Sequence, residues 1–143
     1  MLQRDWSSDV CSSDLSTYIY GVTYGDGVYV AVGDSGTLTT STDGTTWTTR
    51  TSGFGTTAIK AVTYGDGLYV AVGNDGKMTT SPDGTTWTTR TSGFGSTTIN
   101  GVTYGDGLYV AVGSSGKMTT PTEIALNTYL SIELKSPLIS LPA

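Results

Sequence analysis

Histidine is absent from the 143 residues, which removes the commonest general base and the commonest neutral metal ligand. Cations are scarce too: seven Lys and Arg stand against twelve Asp and Glu, for a formal charge of -5. Because phosphate binding needs clustered Lys and Arg, no nucleic-acid partner is expected. Long apolar runs are also missing. None approaches the roughly 18 residues that would span a bilayer, so membrane insertion is not expected. What the chain does have is 20 Gly, abundant Thr, a hydrophobic fraction of 36% and only 13% charged residues. That composition suits short strands joined by tight turns, not helices.

A repeat of 40 residues organises the middle of the chain: residues 21–60 and 61–100 agree at 30 of 40 positions, and a third copy runs from 101 to 120 before losing register. Periods near 40 belong to propellers and arrays, in which each unit buries its faces only against its neighbours. Within the second copy, β-formers over 59–64 and 68–72 flank Gly65-Asp66-Gly67, a hairpin signal. Further strands are predicted over 77–81 and 85–90, separated by Pro82-Asp83-Gly84. Four strands therefore fit one repeat. The second is apolar on both faces and the fourth is mostly Thr, a gradient that fits blades radiating from an axis. The fold expected is all-β, a partial β-propeller of about two and a half four-stranded blades; a β-solenoid or stacked sandwich is the alternative.

Ser41-Thr42-Asp43-Gly44-Thr45-Thr46-Trp47 and Ser81-Pro82-Asp83-Gly84-Thr85-Thr86-Trp87 resemble the Asp-box of sialidase-type (BNR-like) bacterial and phage propellers, although here Gly follows Asp directly and Trp comes one residue early. The resemblance implies that Asp43 and Asp83 accept turn N–H groups and that Trp47 and Trp87 pack beneath them, a structural role with sugar stacking as the alternative. It also implies what a sialidase would need: three arginines near the axis, a Tyr–Glu nucleophile pair and an Asp acid. The repeats offer only Arg50 and Arg90, at one equivalent position of successive copies, and the only glutamates are Glu123 and Glu133, outside the repeats. No catalytic residues are expected in this chain.

The ends differ from the middle. Asp5–Leu15 resembles the translation of a common short-read sequencing adapter without a mismatch, and the repeat register resumes at Ser16. Residues 1–15, including Cys11, are accordingly read as adapter-derived and disordered, and the parent as an extracellular, surface or phage-associated protein. After Thr120 the chain departs from the repeat; the alternation over 130–134 reads either as a capping strand or as out-of-frame translation.

Neither metal nor cofactor is expected. Asp26, Asp66 and Asp106 recur in equivalent turns, which argues for turn formation over calcium ligation, since no stretch spaces its ligands as an EF-hand does. The differences between copies one and two are concentrated, eight of ten around two loops. In an up-and-down blade, the loop between strands two and three and the connection to the next blade emerge at the same end. The candidate binding face therefore comprises Asp34, Ser35, Asn74, Asp75, Ser114 and Ser115, with Lys60 and Asn100 on the interblade loops. A protein or a glycan is the expected partner, the alternative being a piece of a sialidase-like glycoside hydrolase. An unclosed arc of blades leaves two apolar faces bare, so self-association is expected.

Overall fold

A computed structural model describes residues 17–119. The adapter-like run with Cys11 and the tail beyond Thr119 lie outside the described residues.

Among the described residues eleven strands form three antiparallel sheets. The first holds β1 (Ile19–Gly25), β2 (Val28–Gly33), β3 (Leu38–Ser41) and β4 (Thr48–Thr49); the second β5 (Ile59–Gly65), β6 (Leu68–Gly73), β7 (Met78–Ser81) and β8 (Thr88–Arg90). The third holds β9 (Ile99–Gly105), β10 (Leu108–Gly113) and β11 (Met118–Thr119). In each sheet the strands pair in chain order, so one repeat is one blade. First strands of consecutive sheets lie side by side, β1 by β5 and β5 by β9, and so mark the inner edge of the arc. The three sheets do not close into a ring.

The first hairpin of each blade turns on Asp-Gly. Asp26 and Gly27 both have positive φ, at 45° and 81°, which is the type I′ geometry whose twist matches that of the flanking strands. Asp66-Gly67 and Asp106-Gly107 repeat it. Each second hairpin carries a 3₁₀ turn, Asp34–Gly36, Asn74–Gly76 and Ser114–Gly116.

The sequence places the fourth strand of the second blade over 85–90, yet β8 begins at Thr88. The reason is local: the N–H groups of Thr85 and Thr86 are taken by the Asp83 carboxylate at 2.8 Å each, so they are not offered to the ladder. Burial also reaches further out than the apolar pattern indicates. All four residues of β7 are buried, Thr79, Thr80 and Ser81 among them, because the neighbouring blades cover a third strand as well as a second.

The core lies between sheets. Val30, Val32, Leu38 and Phe54 of the first blade meet Ile59, Val62, Tyr69 and Ala71 of the second. Val70, Val72, Met78 and Phe94 then meet Ile99, Tyr109 and Ala111 of the third. The same alternation thus gives every sheet a leading and a trailing apolar face. At roughly 25 cal/mol per Å² of apolar surface, stability resides chiefly in these interblade layers.

Polar contacts reinforce the layers. The rings of Tyr64 and Tyr104 lie against Gly25 and Gly65 of the preceding blade so closely that a Cβ there would fall 2.1 Å and 2.0 Å from ring carbons. Lys77 Nζ reaches back to donate to the Phe54 carbonyl at 3.0 Å and to Thr57 Oγ1 at 2.9 Å.

Candidate functional site

Each blade end differs in character. At one end sit the Asp-Gly hairpins and the turns between third and fourth strands, and in the latter the polar groups are consumed by the fold. Asp43 Oδ1 accepts N–H from Thr45 and Thr46 at 2.9 Å and 2.8 Å, and Ser41 Oγ donates to it at 2.9 Å. Asp83 makes the same set with Thr85, Thr86 and Ser81. These bonds, from Thr46 first and Thr45 next, hold the Asp43 carboxyl well below the usual carboxylate range. Asp83 shifts in the same direction, through Thr86 and then Thr85. Trp87 Nε1 donates to Gly84 O at 2.9 Å, and its ring lies 6.2 Å from that of Tyr69; Trp47 stands 6.5 Å from Tyr29. Carboxylates held ionised in this way are poor general acids.

Close to these turns, a hollow of about 390 Å³ is lined by Thr40, Ser41, Asp43, Thr46, Arg50 and Thr85 among others. Its principal charged groups are already engaged, since Arg50 Nε donates to Thr40 Oγ1 at 2.9 Å and Asp43 serves its turn. Arg90 repeats the bond to Thr80 Oγ1 in the next blade. Both arginines therefore reach onto the third strands of their own blades and do not converge at the inner edge. Among the described residues no three His, Cys, Asp or Glu side chains gather where they could hold a metal ion.

The opposite end gathers eight of the ten positions that vary between the first two repeats. The interblade connection is held between two 3₁₀ turns: Ser52 Oγ donates to Gly36 O of its own blade at 2.9 Å, and the Asn74 N–H of the next blade donates to Ala58 O at 3.0 Å. Ser92 with Gly76 and Ser114 with Thr98 repeat the arrangement. Turns and connections thus form one continuous surface on a repeated backbone. Ser35, Asp75 and Ser115 hold left-handed φ of 55°, 57° and 60°, a conformation uncommon outside Gly, and all three are exposed. Asp34 and Asn74 are half-buried beside them, while Ser114 is exposed.

Lys60 and Asn100 are not on the interblade loops, where the sequence placed them. They lie within β5 and β9, at register shifts where Ile59 pairs with Gly73 and Ala61 with Val72, and Ile99 with Gly113 and Gly101 with Val112. Each is the extra residue of a β-bulge, a device that re-aims a side chain at a strand end. Tyr20 occupies the same bulge in β1. Tyr20 lies before the first full repeat, and its signal in the sequence is the 40-residue period, which aligns it with Lys60 and Asn100. Lys60 Nζ stands 4.5 Å from the Tyr20 ring centroid, and Asn100 Nδ2 is 3.4 Å from Ser114 Oγ. The bulges therefore bring an aromatic, a cation and an amide to the inner edge, beside the turns that carry Asp34, Asn74 and Ser114.

No curated protein matches the chain. Residues 6–135 match the DUF6242 beta propeller domain, a span that takes in part of the adapter-like run and part of the off-register tail as well as all the blades. With its three antiparallel sheets packed face to face around first strands, the chain belongs to the DUF6242 β-propeller domain family.

Proposed function

We propose that this chain is a non-catalytic propeller scaffold that binds a glycan or a protein through the end carrying the bulges and 3₁₀ turns. One observation carries the reading: the three bulge positions hold Tyr20, Lys60 and Asn100, three different chemistries on one repeated backbone. The turns at the other end keep Asp26, Asp66 and Asp106 unchanged. Varied side chains presented at one end of a rigid scaffold are how such folds acquire a partner. Tyr20 is 45% exposed, and an aromatic face beside amide, carboxylate and ammonium groups supplies both stacking and hydrogen bonds to a polar ligand. The side chains most resembling catalytic groups, Asp43, Asp83, Arg50 and Arg90, are bonded into turns and strands.

The test is a screen of the full chain against an oligosaccharide array and a displayed peptide library, alongside a fluorogenic sialoside assay. Binding that is lost in Tyr20→Ala and Lys60→Ala and kept in Asp66→Asn, with no turnover, is the expected result. Hydrolysis, or binding lost only in Asp66→Asn, contradicts it.

A further inference from the structure

Among the described residues the arc of blades presents two apolar faces that no other described element covers, and each repeats half of an interface that the chain builds twice within itself. On the trailing side of the first blade, Ile19 is 43% exposed, Val22 62%, Tyr24 57% and Tyr29 37%. Their counterparts in the second blade, Ile59, Val62 and Tyr69, are 0%, 9% and 0% exposed. On the leading side of the third blade, Leu108 is 49% exposed, Val112 40% and Met118 67%, whereas Val72 and Met78 of the second are 0%. Among the described residues no neighbouring sheet lies against them.

The glycines mark the same vacancy at finer scale. Gly25 carries the Tyr64 ring and Gly65 the Tyr104 ring, but a Cβ on Gly105 would meet nothing within 4 Å. Tyr69 hydroxyl donates to the carbonyls of Gly25 and Val28, and Tyr109 to those of Gly65 and Leu68. The next carbonyls in that series belong to Gly105 and Leu108. The tyrosines that match them by repeat position are Tyr24 and Tyr29, at the other end of the arc.

We infer that a second copy of this chain docks head to tail, its first-blade face on the third-blade face of the other, with Tyr24 seated over Gly105 and the Tyr29 hydroxyl donating to the Gly105 and Leu108 carbonyls. The contact is heterologous, joining two different patches, and such contacts close into rings when the rotation permits. Two copies bring six of the described sheets, within the about four to eight blades of closed propellers, and two identical contacts then cover both described faces of each copy. The binding end is a separate surface, so this inference stands apart from the functional one.

Sedimentation velocity and light scattering of the full chain test it. A particle of twice the chain mass is expected, and a monomer at every concentration overturns the inference. Gly105→Ala is expected to keep the circular dichroism and melting profile of a folded chain under conditions where both proteins are monomeric, and to lose the dimer. Val22→Glu and Met118→Glu alter exposed positions on opposite faces. Each alone should sediment as a monomer, and an equimolar mixture, at several-fold higher concentration, should recover a dimer through the one remaining pair of intact faces. Dimers that survive both single variants, or a mixture that stays monomeric while the unaltered chain dimerises, rule out head-to-tail docking.

Discussion

The hydroxyl of Tyr69 donates to the main-chain carbonyl of Gly25 in the preceding blade, and Tyr109 repeats that bond to Gly65. A side chain from one sheet thus closes a backbone position at the hairpin of another, inside the same interface where the Tyr64 ring lies on Gly25. Removing the hydroxyl strands a buried carbonyl, which costs about 1–3 kcal/mol. Tyr69→Phe should lower the urea midpoint by a corresponding amount with an unchanged slope.

The same tyrosine sets a limit at high pH. Burial pushes the Tyr69 phenol up to about 12, with Tyr64 and Asp26 adding to the shift. An unfolded tyrosine ionises near about 10, so between these values the folded chain holds the proton that the unfolded chain releases. Stability from this group is complete below about 10 and falls as pH rises toward 12. Equilibrium unfolding from pH 8 to 11.5 should show the decline, and it should be shallower in Tyr69→Phe.

Acid acts on the other hairpins with the opposite sign. Asp43 and Asp83 are held below the usual carboxylate range by the N–H groups that they accept. Their contribution is therefore present above about pH 4 and is lost as pH falls further through the depressed values. The double variant Asp43→Asn, Asp83→Asn should be less stable at neutral pH and lose less between pH 5 and pH 2 than the unaltered chain. An equal loss in both proteins would show that the carboxylates do not hold these turns.

Thr79 supplies a prediction of gain. Its hydroxyl is fully buried in β7 and has no hydrogen-bond partner among the described residues. Valine has the same branched shape without the stranded polar group, so Thr79→Val should stabilise the chain by about 1 kcal/mol, read as a rise in melting temperature. A fall would mean that the hydroxyl has a partner.

Much of this architecture is legible in the sequence because its determinants are local. Asp-Gly pairs at the first hairpins fix turn geometry through φ, and the apolar run of the second strand reports burial on both faces. What stays hidden depends on pairing across the chain. That Lys60 is a bulge residue follows only from the register of β5 on β6. The shortened β8 follows from hydrogen bonds that the Asp83 carboxylate takes from the strand. The bond from Tyr69 to Gly25 spans 44 residues and leaves no sequence signal beyond the repeat itself. The candidate face was traceable by repeat differences, yet Lys77, one of those differences, proves to be a structural clamp on Phe54 and Thr57.

The most direct measurement is a hydrogen-exchange footprint of the full chain with the strongest oligosaccharide or peptide from the screens. The account predicts slowed exchange at the bulges around Tyr20, Lys60 and Asn100 and at the 3₁₀ turns of Asp34, Asn74 and Ser114, with no change at the Asp26, Asp66 and Asp106 hairpins. Protection centred on those hairpins, or on the hollow beside Arg50 and Asp43, would contradict the assignment of the binding end.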